Sequence, residues 1–183
     1  MTVKQLCLCL IVVFLQWPAA QSHSYAITDN STIIYHGHHP FRDWSGISHA
    51  ASGSVAVLAG NPASSSCSVQ VSLESFDSGS SSRDSNMLTY TEYYLYPDVV
   101  FESEKISVSG HTVTVQGQLS FHGVTRTVTV SAEVDTTEQF SASGMFSISL
   151  SDYAVERPSL FLLPISDKID IEFDLKGVLN ENE

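Results

Sequence analysis

Beyond its leading segment the chain alternates apolar and polar residues in short runs divided by Gly, Ser, Asn and Pro. Alternation of period two marks strands with one buried face. It predicts strands at 25–28, 32–37, 53–58, 67–73, 99–107, 112–121, 124–134, 140–150 and 168–178, rich in Val, Ile, Phe and Thr. In the last, Ile169, Ile171, Phe173 and Leu175 alternate with Asp170, Glu172 and Asp174. The clearest pattern spans 111–135, where two alternating runs meet at His122-Gly123. A two-residue hairpin loop needs positive φ at its centre, which Gly adopts freely and His less so. That loop sets Phe121 opposite Val124, Leu119 opposite Arg126, Gly117 opposite Val128 and Val115 opposite Val130. Arg126 is then the one charge on the apolar face of the hairpin.

One stretch breaks the alternation. From Ser82 through Arg83, Asp84, Met87 and Leu88 to Glu92 the sequence has a capping residue, an early acid and no period of two, which predicts a short helix ending before Tyr96-Pro97. Its apolar side would pack on one end of the sheet. Eight or nine antiparallel strands on short loops form a closed barrel or a sandwich, and the Cys, Trp, Cys framework of an immunoglobulin sandwich is missing. The expected fold is therefore all-β, a single antiparallel barrel of about eight strands with one short helix after the fourth. A barrel of that size is either filled by side chains or holds one small ligand.

Composition changes this picture at the amino terminus. Lys4, the apolar run 6–15 and the small residues around Pro18-Ala19-Ala20 read as a secretory signal peptide, cleaved near Ala20 or Ser22 and leaving a domain at 23–183. The run is too short for a membrane span, which needs about twenty apolar residues. Removal of Cys7 and Cys9 leaves Cys67 alone, in phase with Val69, Val71 and Leu73, as a small buried hydrophobe with no intrachain disulfide to make. The net charge of −12, with no basic run along the sequence, argues against nucleic acid and stable membrane partners.

The candidate chemistry is sparse. Phosphate-binding glycine loops, G-x-S-x-G, HExxH and a Cys paired with a base are all missing, so no enzymatic activity is expected. His36 and His38 share a strand face, and with His39 and His49 they invite a metal reading. However, His39 precedes Pro40 in a loop and no Cys or carboxylate stands at ligand spacing in the sequence, so neither a metal nor another cofactor is expected.

Three motifs in order give the chain a relative. Ser75-Phe76-Asp77-Ser78-Gly79 is followed by Arg83-Asp84 and Met87-Leu88, then by Tyr96-Pro97 with Val100-Phe101-Glu102-Ser103, and finally by 117–126, GQLSFHGVTR. Together they resemble the YceI-like family of polyisoprenoid-binding or lipid-binding domains. His39-Pro40 and Trp44-Ser45-Gly46 resemble one branch of it. The likeness loosens at Ser149 to Ala154, where the family often carries Arg-Ser-Asp-Phe-Gly; Leu150 stands for its Arg and Ala154 for its Gly.

The resemblance implies a lipocalin-like barrel around a long apolar channel, holding an isoprenoid, a quinone or another apolar lipid. The expected function is an exported, secreted or periplasmic lipid-binding protein. The apolar faces nominate Ile34, Val57, Val71, Leu73, Met87, Phe101, Val115, Leu119, Val128, Phe146, Ile148, Ile171 and Phe173 as its lining. Arg126, with Arg83 and Asp84, has two readings. Its planar donor fork suits an anionic head group at the mouth, or it forms an ion pair with Asp84 or another carboxylate that closes the barrel end. Two other readings stand beside the carrier: a barrel of the same fold without ligand, serving a structural or interaction role, and a small outer-membrane barrel.

Overall fold

The computed structural model describes residues 22–110, 112–137, 139–160 and 162–180. Of the expected signal peptide, 1–22, residues 1–21 lie outside the described residues, and Ser22 opens the first strand. In chain order the elements are β1 (Ser22–Ile27), β2 (Thr32–Gly37), β3 (Trp44–Ser48), β4 (Ser52–Leu58), β5 (Ser66–Ser72), α1 (Ser81–Tyr90), β6 (Asp98–Ser109), β7 (Thr112–Phe121), β8 (Val124–Asp135), β9 (Phe140–Ser149), β10 (Ser159–Leu160), β11 (Leu163–Pro164) and β12 (Lys168–Leu179). Neighbours pair antiparallel in the order β1, β4, β5, β6, β7, β8, β9, β12, and β12 returns to β1, closing a barrel of eight strands. β2 and β3 branch from one wall: β12 pairs with β1 at its end and with β2 over 170–174, while β2 pairs onward with β3. Closure leaves no sheet edge along this ring, which removes the usual template for strand-to-strand aggregation.

The hairpin register is the predicted one, with Phe121 opposite Val124, Leu119 opposite Arg126, Gly117 opposite Val128 and Val115 opposite Val130. His122 and Gly123 both take positive φ, 51° and 70°, as a turn matched to the strand twist requires. The turn has a second role. His122 sets Nδ1 2.8 Å from the Tyr153 carbonyl oxygen, to which a protonated Nδ1 donates, and its ring lies edge-on to Tyr96. A Cβ on Gly123 would fall 2.6 Å from that Tyr96 ring. The turn is therefore packed between the segment after α1 and the turn at Leu150–Tyr153.

Trp44–Ser48 forms a strand where the alternation predicts only a loop. Its pattern is inverted: Gly46 and Ser48 are buried while Ser45 and Ile47 are exposed. Aromatic rings from across the ladder explain this. Tyr35 lies over Gly46 and Trp44 over Gly37, each so close that a Cβ would stand 2.3 or 2.4 Å from the ring. The space that a side chain would take is filled by the partner's aromatic group.

Inside the barrel the buried residues fall into two clusters, one around Ile27, Val55, Val71, Phe140 and Leu175, the other around Leu73, Leu119, Phe121, Leu150 and Tyr153. Cys67 packs beside the first as a small hydrophobe, and burial pushes its thiol up. Met87 and Leu88 of α1 pack on the second, so the helix covers that end. Val99 and Ile171 touch both clusters and thus lie at mid-depth.

Outward positions carry charge, including Glu102, Glu104, Glu133, Glu172 and Asp174, all exposed. Asp170 is held down to about 2, first by the Lys168 ammonium at 2.7 Å and then by the Ser147 hydroxyl. A depressed carboxyl contributes stability that is full above its unfolded value near 4 and is lost as pH falls through the folded value. We expect the melting temperature to drop between about pH 4 and 2, and Asp170→Asn to melt lower than the parent at neutral pH with a flatter acid limb. Superimposable melting curves for parent and variant across that range would remove this role.

Candidate functional site: an apolar cavity with a polar mouth

The two clusters do not meet. Between them runs a cavity of about 530 Å³, within the range of small-ligand pockets. Its walls are almost entirely carbon: Ile33, Val69, Val71 and Leu175 toward one end, Leu73, Leu119, Phe121 and Leu150 toward the other, with Phe146, Phe173 and Phe101 between strands. Phe146 and Phe173 lie 6.5 Å apart between ring centroids. Small residues make this possible, since a Cβ on Gly144 would come 2.8 Å from Phe173 and one on Gly117 2.6 Å from Phe101.

Of the predicted lining, Val71, Leu73, Met87, Phe101, Leu119, Phe146, Ile148, Ile171 and Phe173 border the cavity. Four do not. Val57 and Val128 pack behind the two clusters, and Val115, half-buried opposite Val130, leaves the wall to that neighbour. Ile34 is on the wrong face: it stands opposite Glu172 and Ile47, while Ile33, 9% exposed, and Tyr35 point inward. Ile33 and Ile34 are adjacent and equally apolar, so alternation at this point does not choose between them. Pairing with β12 does choose, because Phe173 opposite Ile33 and Glu172 opposite Ile34 fix which side is wet.

The mouth differs from expectation. Arg126 keeps its predicted register, yet its side chain is exposed, borders no part of the cavity and donates from Nε to the Asp152 carbonyl oxygen at 3.0 Å. Nor does it pair with Asp84, whose carboxylate accepts hydrogen bonds from the Ser78 backbone N–H at 3.2 Å and from the Ser78 hydroxyl. Near the turn, beside Leu150–Tyr153, the Arg126 guanidinium reaches solvent and the Asp152 carbonyl, while the cavity wall at this level is supplied by Leu119 and Phe121 of the paired strand.

Arg83 and Arg42 take the place at the opening. Arg83 donates to the Ser78 carbonyl oxygen at 3.2 Å and lies 6.0 Å from the Trp44 ring centroid. The lining there also includes Trp44, Asn86, Tyr90, Glu156 and Ser159, residues outside the strands that the alternation predicts, since they come from α1, the loop after the turn at Leu150–Tyr153, and the short strands β3 and β10. Burial pushes the Tyr35 phenol up, with Asp84 adding to the shift and Arg83 opposing it. We expect Arg126→Ala to leave occupancy of the cavity unchanged and to lower stability by less than about 1 kcal/mol, as for an exposed contact. A large loss of ligand with the fold intact would place Arg126 in the site after all.

The histidines disperse. His36 meets Glu172 at 3.2 Å and His38 meets Asp43 at 3.1 Å on the outer face. His39 is buried, with Nε2–H donating to the Leu163 carbonyl oxygen and Nδ1 accepting from the Phe41 N–H. His49 sits by Ser31 and Thr32. Among the described residues no three His, Cys, Asp or Glu converge on a metal position, and no described helix is long and apolar enough to cross a membrane.

With this geometry in view, the YceI-like domain model matches residues 25–177, nearly the whole barrel. The chain belongs to the YceI-like family. Among its relatives are the UPF0312 protein of Pseudomonas fluorescens (strain SBW25), 27% identical over 151 residues and covering 77% of this chain and 73% of that one, and the UPF0312 protein of Pseudomonas putida (strain F1), 25% identical over 181 residues and covering 87% and 92%. Among solved structures the YceI-like barrel is similar to BcnA of Burkholderia cenocepacia, with a TM-score of 0.75, 21% identity and coverage of 81% and 97%. It is also similar to a polyisoprenoid binding domain from Saccharophagus degradans implicated in plant cell wall breakdown, with a TM-score of 0.67, 16% identity and coverage of 85% and 98%. At those identities the likeness is one of fold.

One departure from the YceI-like pattern has a backbone cost. Ala154, in the place of the family's Gly, is held at φ 56°, in the left-handed region. Leu150, in the place of the family's Arg, is buried and lines the cavity, extending its apolar wall. Ala154→Gly is expected to raise stability by about 0.5–1 kcal/mol, the left-handed strain removed less the extra freedom of Gly when unfolded. Thermal melting tests it, and a lower melting temperature would contradict it.

Proposed function

We propose that this protein is an exported carrier that holds an isoprenoid or similar amphipathic lipid in the barrel, as a binding protein and not an enzyme. The observation that carries the reading is the cavity: about 530 Å³ of space between two packed clusters, walled by hydrocarbon and opening where Arg42, Arg83 and Trp44 stand. Burial of a prenyl chain there would contribute about 0.8 kcal/mol per methylene, against the cost of immobilising the ligand. Length of tail thus sets affinity, while the polar mouth sorts head groups. The structural likeness to a domain described as polyisoprenoid binding supports the class of ligand. The signal-peptide pattern read in residues 1–22 supports export, to the periplasm or beyond the cell.

The test is organic extraction of protein purified without detergent, followed by mass spectrometry, with displacement of a fluorescent prenyl probe as the second measurement. A stoichiometric apolar lipid in the extract, or saturable probe binding, is the expected result. An empty extract together with no probe binding would end the carrier reading.

A further inference from the structure

We propose that the channel is blind at the end away from α1, with Leu175 as its floor, and that it selects tails by length, enclosing about twenty carbons, or four prenyl units. The inference rests on the carrier reading and adds to it which lipids the barrel takes in whole. Followed inward, the strands stop lining the cavity at the same end. Along β12 the inward residues Ile169, Ile171, Phe173 and Leu175 all border it, and Gly177, next on that face and buried, does not. Along β9, Phe146 and Ile148 border it while Ala142 and Phe140 do not, and along β5, Val69 and Val71 do while Cys67 does not. Beyond this level the interior is packed. Phe140, 3% exposed, stands opposite Gly177, where an added Cβ would fall 3.0 Å from the Phe140 ring and 3.1 Å from the Tyr25 Cβ. The Tyr25 and Phe140 rings lie 5.3 Å apart between centroids, and buried Ala142 stands opposite Leu175. Leu175 is thus the last side chain that a tail meets, with the Phe140 ring behind it.

Volume sets the length. A hydrocarbon-lined cavity of about 150 Å³ takes one benzene, or about 25 Å³ for each carbon. At that density the 530 Å³ between the two clusters hold about twenty carbons, the tail of geranylgeraniol. A shorter tail leaves part of the apolar wall without contact, so each added unit tightens binding. A longer one leaves its excess at the mouth, beside Arg42, Arg83 and Glu156, where little more carbon is removed from water. The floor does not retreat to admit it, because packed interiors resist compression. Affinity therefore climbs with length up to the floor and then levels off.

Competition of prenols of increasing length against a fluorescent prenyl probe tests the proposal. For the parent, each step from geraniol to farnesol to geranylgeraniol is expected to tighten binding roughly a hundredfold, and the step to geranylfarnesol less than about threefold. Leu175→Trp raises the floor, since an indole in place of an isobutyl group takes the room of about one prenyl unit. In that variant geranylgeraniol is expected to bind within about threefold of farnesol, and farnesol as it binds the parent. Leu175→Ala lowers the floor onto the Phe140 ring, and geranylfarnesol is then expected to gain about tenfold over geranylgeraniol. Leu175→Trp, which fills space and empties none, decides the matter should Leu175→Ala fail to fold. A parent whose affinity climbs by the same factor past geranylgeraniol, or a Leu175→Trp protein that keeps the full step from farnesol to geranylgeraniol, would overturn the floor and leave the carrier reading standing. A parent that binds none of these prenols would reject the carrier reading, and the length selection with it.

Discussion

Ile171→Trp is expected to weaken binding of a long polyprenol by roughly a hundredfold while a short prenol such as geraniol still binds. Ile171 lines the cavity and touches both apolar clusters, which places it halfway along the channel. An indole there divides the cavity. Excluding about four carbons of a tail forfeits about 3 kcal/mol at 0.8 kcal/mol per methylene, which is the hundredfold. Because the ring grows into empty space, the overpacking penalty should stay near the low end of the usual 1–3 kcal/mol. Competition for a fluorescent prenyl probe reads the two affinities. Equal affinity of parent and variant for the long chain would mean that the tail does not run past Ile171, and loss of the short one as well would mean that the site itself has been disturbed.

Gly53→Ala carries the largest expected effect on stability. Gly53 lies in β4 at φ 132°, and an added Cβ would stand 2.0 Å from the Ser68 carbonyl oxygen and 2.9 Å from its carbon. Both partners are main chain of adjacent strands, so no rotamer change relieves the clash. The position lies near the start of β4, just after the link from β3. We expect a loss of about 3 kcal/mol or more, or roughly 6–12 °C in melting temperature. Gly60→Ala serves as the control. Gly60 also has positive φ, 86°, but nothing lies within 4 Å of its would-be Cβ, so only the dihedral strain of about 1–2 kcal/mol applies. Similar melting temperatures for the two variants would show that the β4–β5 contact yields more readily than close main-chain packing allows.

These two sites differ in how far the chain discloses them. Ile171 can be read directly, because it alternates with Asp170 and Glu172 in a run whose wet and dry faces are unmistakable. Gly53 cannot, since its demand comes from Ser68, a residue of another strand. Ile33 and Ile34 lie between these cases: local pattern leaves them equivalent, and the charged face of β12 separates them. Trp44–Ser48 hides as a strand because its inward positions are Gly and Ser, the space beside Gly46 being taken by the Tyr35 ring across the ladder.

The sequence by itself determined the all-β class, the barrel's approximate strand number, the hairpin register about His122-Gly123 and most of the apolar wall. All of these follow from period-two alternation and turn chemistry, which act over a few residues. Only the tertiary structure decided that the two clusters stand apart to leave a cavity, and that of the nominated arginines Arg83 lines it and Arg126 does not, with Arg42 joining from a loop. It also gathered Arg42, Arg83 and Glu156, scattered over more than a hundred residues, around one opening. Alternation says which way a strand residue points. How far its side chain reaches, and what loops from other parts of the chain set around it, depends on barrel closure and long-range contact, which no local pattern encodes.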